Sequence, residues 1–339
     1  MQHEVLRHQT MTALVRKFEV NYNRGSSLFR QGISSPTNEY TFDVIQMSRD
    51  LAQFRDPQAE AGMVSPMTKL KTSVILPTIR EKKRLSGAAQ NWLRRPGTEH
   101  QQYGKQMLAD ELSELNQRLE QRKEWWRWQL LNGGDANGYY TISITDGGVT
   151  ASATYNFGFD KTNNFAYAAT AWSGSGSTTI VGDIISGKKR IAQQTGRMPT
   201  KAWTTETVMK YLIQNSGVKS LLGESTLKEQ VAQWGYIKRF LGLEIEVYEA
   251  GWVDDATSTW SPFITNDFFI MTNGDPIGDE VTAPPVDPRA GGMTGKFSKS
   301  WVEEDPAGTW LLVEETWLAG LTKPESIYII DTVSGAVGT

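Results

Sequence analysis

A long stretch without helix-breaking residues constrains the fold of this chain more than any other feature. Residues 106–129 contain neither glycine nor proline. Apolar side chains recur there and just beyond at the spacing of one helix face, at Leu108, Leu112, Leu115, Leu119, Trp126 and Leu130. We predict a helix over residues 102–131, ~45 Å long, that stops at Asn132-Gly133-Gly134. A coiled coil is the alternative, but Arg122 interrupts the short apolar stripe and favours packing on a sheet.

The segment before this helix, from residue 33 to about residue 85, is predicted to be extended. Residues 41–46 alternate apolar with polar side chains, and residues 69–76 are rich in β-forming residues. Pro57, Gly62 and Pro66 interrupt the stretch between them, so we predict a long hairpin with an irregular tip. Its polar composition offers few residues to bury against its own chain. A long hairpin is marginally stable alone, and we expect this one to rest on another surface.

The rest of the chain mixes short helices with strands. A hairpin is predicted from residues 139–144 and 149–153, turned at Asp146-Gly147-Gly148. Helices are predicted over residues 179–194 and 206–214, strands over residues 201–204, 243–252, 268–271, 310–316 and 326–331, and a Gly/Pro-rich loop over residues 274–295. This order of elements predicts an α+β fold.

Composition excludes several classes of protein. The 339 residues carry a formal net charge of −3, too close to neutral for a chain whose main task is to hold nucleic acid or an anionic membrane. The absence of cysteine excludes disulfides, zinc–thiolate sites and thiol catalysis, and it fits a reducing cytoplasm. The N-terminal residues 1–20 alternate apolar with charged side chains, which predicts an amphipathic helix and not a signal peptide.

Two motifs resemble a zinc-binding helix and a phosphate-binding loop. His3 and His8 are five positions apart, about 140° around a helix, whereas zinc-binding helices place their histidines four apart. Residues 182–188 spell G-x-x-x-x-G-K, but Lys189 follows where a phosphate loop needs serine or threonine to hold magnesium. We therefore expect no metal and no cofactor, and we keep a nucleotide-binding enzyme based on Gly182–Lys188 as a remote alternative.

No carboxylate pair has a recognisable catalytic context. Asp254-Asp255 and Glu314-Glu315 are acidic pairs of the kind common on surfaces, and three histidines without cysteine leave few nucleophile–base combinations. We expect no catalytic residue and no enzymatic activity.

The charges are segregated along the sequence. One stretch, residues 69–95, is basic and contains Lys69, Lys71, Arg80, Lys82, Lys83, Arg84, Arg94 and Arg95 against one glutamate. Another, residues 241–285, contains no lysine or arginine and includes Glu244, Glu246, Asp254 and Asp255. These twelve residues are our candidates for contacts between subunits, where complementary charge fixes the register. Two solvated faces, or a basic stretch that faces DNA, are the alternatives.

Taken in order, these segments resemble the major capsid proteins of tailed bacteriophages, which have the Hong Kong ninety-seven fold, and most closely the lambda-type major capsid protein E family. The resemblance covers most of the chain. It rests on the basic residues 85–97 that lead into the long helix, on residues 179–222 with Thr195-Gly196-Arg197-Met198-Pro199, and on residues 301–331, which begin Trp301-Val302-Glu303-Glu304-Asp305-Pro306.

The resemblance implies a division of the chain. Residues 1–34 would form an N-terminal arm that reaches over a neighbour, and residues 35–85 an extended loop that lies across the adjacent subunit. Residues 86–181 would form the peripheral domain with its spine helix, residues 182–293 the axial domain, and residues 294–339 closing strands that return to the peripheral domain.

The resemblance also implies partners. Hexamers and pentamers would build an icosahedral head in the host cytoplasm, around DNA that is held non-specifically and without a membrane. A separate scaffolding protein is expected, because no long segment precedes the arm, together with a portal and a decoration protein. A tail tube or baseplate component is the alternative. The charge hypothesis predicts that reversing Arg80 and Arg84 blocks assembly and leaves the monomer folded.

Overall fold

The computed structural model describes residues 6–20, 23–45, 51–52, 54, 56, 58, 60, 63, 69–85, 99–146, 149–173, 179–254, 257–304 and 307–334. The helices are α1 His8–Val15, α2 Glu99–Leu131, α3 Lys161–Asn164, α4 Ile180–Thr195, α5 Glu206–Gln214, α6 Ser216–Leu222 and α7 Glu224–Trp234. Short 3-10 helices span Gly25–Leu28, Pro288–Ala290 and Pro324–Ser326. In this part of the chain, no helix is long and apolar enough to cross a membrane.

The strands are distributed over the described residues from Phe29 to Ser334. They are β1 Phe29–Ser34, β2 Glu39–Ile45, β3 Lys69–Ile75, β4 Thr78–Leu85, β5 Tyr140–Asp146, β6 Val149–Tyr155, β7 Phe165–Ala168, β8 Lys201–Thr204, β9 Arg239–Phe240, β10 Leu243–Val247, β11 Gly251–Val253, β12 Trp260–Pro262, β13 Phe268–Thr272, β14 Gly278–Ala283, β15 Phe297–Glu304, β16 Ala307–Leu321 and β17 Ile327–Ser334. The predicted α+β class is confirmed.

The chain divides into two compact units. The first comprises Met1–Tyr40, Ser73–Arg127 and Asp279–Ala319. Its sheet has the order β1-β14-β16-β15, and β4 also pairs with β16. Leucines of α2, together with Met11 and Val15 of α1, form one buried cluster with Leu311 and Val313 of β16. The long helix thus packs on a sheet, as predicted, and begins at Glu99, three residues before the predicted start.

The second unit comprises Thr41–Thr72, Trp128–Gly278 and Gly320–Thr339. Its mixed sheet has the order β7-β17-β13-β8-β10-β9. Apolar residues of α4 to α7 pack against this sheet in a second buried cluster, which includes Ile184, Ile191, Leu212, Phe269 and Ile330. The predicted helices at residues 179–194 and 206–214 and the strand at residues 201–204 are confirmed within one residue.

Two parts of the predicted division differ in the structure. The predicted extended loop, residues 35–85, is shorter, because β4 leaves the ribbon formed by β2 and β3 and pairs antiparallel with β16 from Thr78 to Leu85. The predicted closing strands also lie in different units. β16 lies in the sheet of the first unit, whereas β17 pairs with β13 and β7 in the second.

The N-terminal segment also has contacts within its own chain. α1 packs on β15, where the Thr12 hydroxyl donates to the Ser298 carbonyl at 3.1 Å and the Ser298 amide donates back at 3.0 Å. The arm predicted from the resemblance is therefore docked on its own chain over His8–Val15. A contact of this arm with a neighbouring subunit stays a prediction.

The Gly/Pro-rich loop predicted at residues 274–295 is wrong in part. Gly278–Ala283 form β14, which lies between β1 and β16. The Ser35 amide donates to the Thr282 carbonyl at 2.8 Å. Glycine and aspartate disfavour strands locally, but pairing on both edges outweighs that weak preference.

Two glycines of α4 differ in their surroundings. A Cβ atom at Gly187 would overlap the methyl group of Met271 and lie 2.7 Å from the Tyr328 ring, whereas a Cβ at Gly182 meets nothing within 4 Å. Gly187 therefore permits the close approach of α4 to the sheet. Gly182 has no such role.

We expect opposite outcomes when each of these glycines is replaced by alanine. Gly187→Ala should lower the free energy of unfolding by about 1–3 kcal/mol through overpacking. Gly182→Ala should raise it by about 0.5–1 kcal/mol through helix propensity. Urea unfolding of both variants, followed by circular dichroism, measures the difference; equal effects would contradict the packing assigned to α4.

Candidate assembly surfaces

The basic residues predicted as subunit contacts lie mainly on β3 and β4. Lys69 and Lys71 are exposed on β3, and Lys69 Nζ lies 3.6 Å from Asp43 Oδ2. Both partners of this ion pair are about half exposed, so it contributes little to stability. Arg94 and Arg95 lie outside the described residues.

β4 carries its charges on two faces. Lys83 points toward α2, where its Nζ lies 2.5 Å from Glu111 Oε2 and 2.5 Å from Glu114 Oε2. Hydrogen bonds to Glu111 and then Glu114 raise the pKa of Lys83, and the hydrogen bond from Lys83 lowers the pKa of Glu114. Lys83 is therefore part of the fold of its own chain, which the sequence did not indicate.

Arg80, Lys82 and Arg84 lie on the other face of β4. The Lys82 ammonium sits 5.0 Å from the centre of the Trp310 ring, and the Arg84 side chain lies over Gly308. All three cations are exposed. Because successive side chains of a strand point to opposite faces, Lys83 lies on the opposite face of β4 from these three cations.

Arg80 has a buried partner. Its Nε lies 2.8 Å from Oε2 of Glu314, whose side chain is 0% exposed. The geometry is that of an ion pair rather than a hydrogen bond, and neither carboxylate oxygen of Glu314 accepts a hydrogen bond within the part of the chain described. Reversal of Arg80 would leave a buried carboxylate beside a second negative charge, so this residue belongs to the fold as well as to the surface.

The acidic candidates lie in the second unit. Glu244 and Glu246 are half-buried on β10, with Glu244 Oε1 3.8 Å from Lys238 Nζ. Asp254 is half-buried just after β11. Asp255 is not among the described residues. The contact between these residues and the basic stretch of another subunit stays a prediction.

A buried cluster of charges on α2 was not predicted. Lys123 Nζ lies 3.3 Å from Glu315 Oε2 and 3.4 Å from Glu120 Oε1, and Lys296 Nζ lies 2.5 Å from the same Glu120 oxygen. Burial opposes ionisation of Lys123 and Glu120. The attraction of the opposite charges outweighs it, so the pKa of Lys123 is raised and that of Glu120 is lowered. Glu120 thus stabilises the fold above its ordinary pKa, and this contribution is lost as the pH falls through the lowered value.

Arg127 joins three segments of the first unit. Its guanidinium donates to both carboxylate oxygens of Glu280 on β14, at 2.7 and 2.9 Å, and to Glu124 Oε2 at 3.1 Å. Glu124 in turn accepts from the Gly25 amide at 2.8 Å, and the Trp317 indole donates to Glu280. The spacing of the charged residues along α2 is the sequence feature that could have indicated this cluster. Positions 120, 123, 124 and 127 are spaced so that they share one helix face, which adjoins the apolar stripe.

The phosphate-loop motif is not formed. Residues 182–188 lie in α4, and from Asp183, whose amide donates to the Thr179 carbonyl, their amides are committed to the helix and cannot cradle phosphates. Lys188 donates to the Leu241 carbonyl within its own chain. The remote nucleotide-binding alternative is therefore wrong. Across the described residues, no group of three His, Asp or Glu side chains could hold a metal ion; His3 lies outside them.

Comparison with known proteins distinguishes a capsid protein from a tail tube or baseplate component. The family model of phage major capsid protein E matches residues 8–332. This chain belongs to the phage major capsid protein E family. As a member of that family it is a structural protein of the phage capsid and a component of the virion, and it associates with copies of itself. The tail tube or baseplate alternative is wrong. No curated protein matches the sequence.

Solved structures of phage and prophage proteins share the fold at low sequence identity. A protein described as a prophage capsid protein of Escherichia coli CFT073 superimposes with a TM-score of 0.66 at 14% identity, over 96% of this chain and 99% of that one. A phage-related protein of Bordetella bronchiseptica gives 0.54 at 10% identity, over 97% and 98%. The capsid of Cyanophage P-SCSP1u gives 0.52 at 10% identity, over 91% and 87%. The predicted capsid fold is confirmed.

Removal of Arg127 tests the buried cluster. Arg127→Ala leaves Glu280 and Glu124 buried without their cation and should lower the free energy of unfolding by about 3–5 kcal/mol. Arg118→Ala removes a cation of the same helix that is 45% exposed and should cost at most about 1 kcal/mol. Denaturant unfolding of the two variants gives both values, and similar losses would show that the buried cluster does not stabilise the fold.

Proposed function

We propose that this protein assembles with copies of itself into hexamers and pentamers that tile an icosahedral head around the double-stranded DNA genome of a phage. The observation that carries the proposal is the family match over residues 8–332. We further propose that the protein has no catalytic activity, that it assembles in the host cytoplasm, and that it holds DNA only non-specifically. A separate scaffolding protein, a portal and a decoration protein are its proposed partners.

The segment between β2 and β3 supports a loop that lies across a neighbour. Leu51, Phe54 and Met63 are each more than nine-tenths exposed. Covering a large apolar side chain gains about 1.5–3 kcal/mol, so three of them together form a strong drive toward a partner surface. The base of the ribbon differs from this segment. Phe42 is buried there and packs edge-on against Phe157, with ring centres 5.5 Å apart, so the hairpin is anchored on its own chain, contrary to expectation.

The exposed face of β4 supports an electrostatic contact between subunits. Lys82 and Arg84 present their charges to solvent on one face of the strand. Half-buried Glu246 and Asp254 offer the opposite charge on another copy. Complementary charge of this kind fixes the register of an interface and excludes incorrect pairings. We propose this contact for Lys82 and Arg84, and not for Lys83, whose charge is engaged by α2.

Electron microscopy of the purified protein tests the main proposal. Negative-stain images under assembly conditions should contain closed shells, or rings of five and six subunits. Helical tubes without pentamers would indicate a different virion component. A monomer that stays monomeric under every condition, with and without a co-expressed scaffolding protein, would refute the proposal.

The apolar loop is tested at its most exposed aromatic residue. Phe54→Asp should leave the unfolding midpoint of the monomer unchanged, because a fully exposed side chain contributes no burial, yet it should reduce shell yield severely. Phe54→Leu keeps an apolar side chain and should assemble. Shell yield from sedimentation, compared for the two variants, is the measurement. Normal shells from Phe54→Asp would exclude this residue from the interface.

The basic face is tested by charge reversal at Lys82 and Arg84. The double variant Lys82→Glu/Arg84→Glu should lose assembly while its monomer stays folded, since both side chains are exposed and an exposed charge contributes at most about 1 kcal/mol to stability. The charge-preserving pair Lys82→Arg/Arg84→Lys is the matched control. Light scattering at low and high salt reports assembly. A double reversal that assembles like the control would contradict the proposed contact. Arg80 is unsuitable for this test because its reversal also destabilises Glu314.

A further inference from the structure

The hairpin of β5 and β6 segregates its side chains with unusual regularity. Its strands pair over seven positions without a register shift. One face carries hydroxyl pairs, in which the Thr141 and Thr154 hydroxyls are 3.2 Å apart and Ser143 opposes Ser152. The other face opposes Ile142 to Ala153 and Ile144 to Ala151. The ribbon is therefore polar on one side and apolar on the other.

The outer edge of β6 lacks the features that protect edge strands. Within the described part of the chain, β5 and β6 form a sheet of two strands. Residues 150–154 contain no charge, no proline and no glycine, and no bulge interrupts them. Four of these five residues are exposed, and Ala153 is half-buried. Natural proteins guard exposed edges with lysine, proline or bulges, because an unguarded edge pairs with another strand.

The sequence of β6 indicates which strand it accepts. Residues 150–154 read T-A-S-A-T, which is the same in both directions. If two copies pair antiparallel about a two-fold axis through Ser152, that serine faces its own copy. Thr150 then faces Thr154, and Ala151 faces Ala153. Every residue meets its own type, and the hydroxyl and apolar faces stay on their own sides of the joined sheet. A two-fold interface requires a surface that complements itself in this way.

We propose that the β6 strands of two subunits pair antiparallel across a two-fold axis at Ser152, joining two hairpins into a four-stranded sheet within the shell. The proposal rests on the self-assembly proposed above and adds one contact to it. Three or more strands with an apolar face are stable where an isolated two-stranded hairpin is marginal. The new sheet would therefore stabilise the hairpin and the contact together.

β5 offers a poorer edge, although residues 141–145 also read the same in both directions. Tyr140 and Ile142 of β5 are buried in their own chain, and the Tyr140 hydroxyl donates to the Leu130 carbonyl at 3.0 Å. An incoming strand needs side chains that are accessible on both faces of the edge. β6 offers them over residues 150–154, with only Ala153 partly covered.

A single introduced cysteine tests this geometry, because the chain has none of its own. Directly opposite residues of an antiparallel pair have Cα atoms about 4.5–5.5 Å apart, within the ~4.4–6.8 Å that a disulfide spans. Ser152→Cys shells should therefore give covalent dimers on a non-reducing gel after mild oxidation. Ser143→Cys is the matched control on the same face, and in the joined sheet its two copies would lie about three strand spacings, ~14 Å, apart.

A charge-pairing experiment tests the same contact without covalent chemistry. Ser152→Lys and Ser152→Asp each place like charges opposite one another and should each lower the assembled fraction about fivefold or more. A mixture of the two variants should restore it, since lysine then faces aspartate. Ser143→Lys should assemble like wild type.

The outcomes separate this inference from the proposed function. If wild type forms no particles, the shell function fails. If wild type forms shells but Ser152→Cys gives no dimer, or the mixture of charged variants is no better than either alone, only the β6 contact is overturned. Dimers from Ser143→Cys without dimers from Ser152→Cys would also overturn it, in favour of the edge of β5.

Discussion

The bidentate ion pair between Arg127 and Glu280 is the interaction on which the first unit depends. It ties the long helix α2 to β14, and through Glu124 it reaches the Gly25 amide just before β1. The helix, the strand and the N-terminal segment are distant in the sequence and share no local signal. A buried cation with two buried carboxylates permits one arrangement of these segments, because any slip leaves a charge without its partner. Leucine packing alone would tolerate more registers.

Because of this cluster, α2 exposes fewer of its charged residues than its composition suggests. The helix is apolar toward β16 through Leu108, Leu112 and Leu115, and then becomes charged without leaving the interior. Lys123 and Glu120 continue the buried face by pairing with Glu315 and Lys296. Charged residues on a helix are ordinarily interpreted as its solvent side, and here that interpretation fails over residues 120–127, about two turns.

Elements that depend on local interactions could be predicted from the sequence, whereas elements that depend on contacts between distant segments could not. The helices α2, α4 and α5, the β5–β6 hairpin and β8 depend on local periodicity and turn residues, and their positions were predicted within a few residues. β14, the pairing of β4 with β16 and the partners of Glu280 depend on contacts between distant segments. For the assembly residues, the sequence identified the basic stretch. It could not separate Lys83, which pairs with glutamates of α2, and Arg80, which pairs with buried Glu314, from Lys82 and Arg84, for which we propose the subunit contact.

The alternation along β4 has a consequence for how such a protein can diverge. Odd positions of the strand, among them Lys83 and Leu85, are held by α2 and its leucines, whereas even positions such as Lys82 and Arg84 reach the surface. Substitutions at Lys82 and Arg84 can change the charge of this exposed face while the packing of the sheet on α2 is conserved. Two relatives could therefore keep superimposable subunits and still fail to form mixed shells. Incompatibility between related particles would then arise from side chains that their folds do not need.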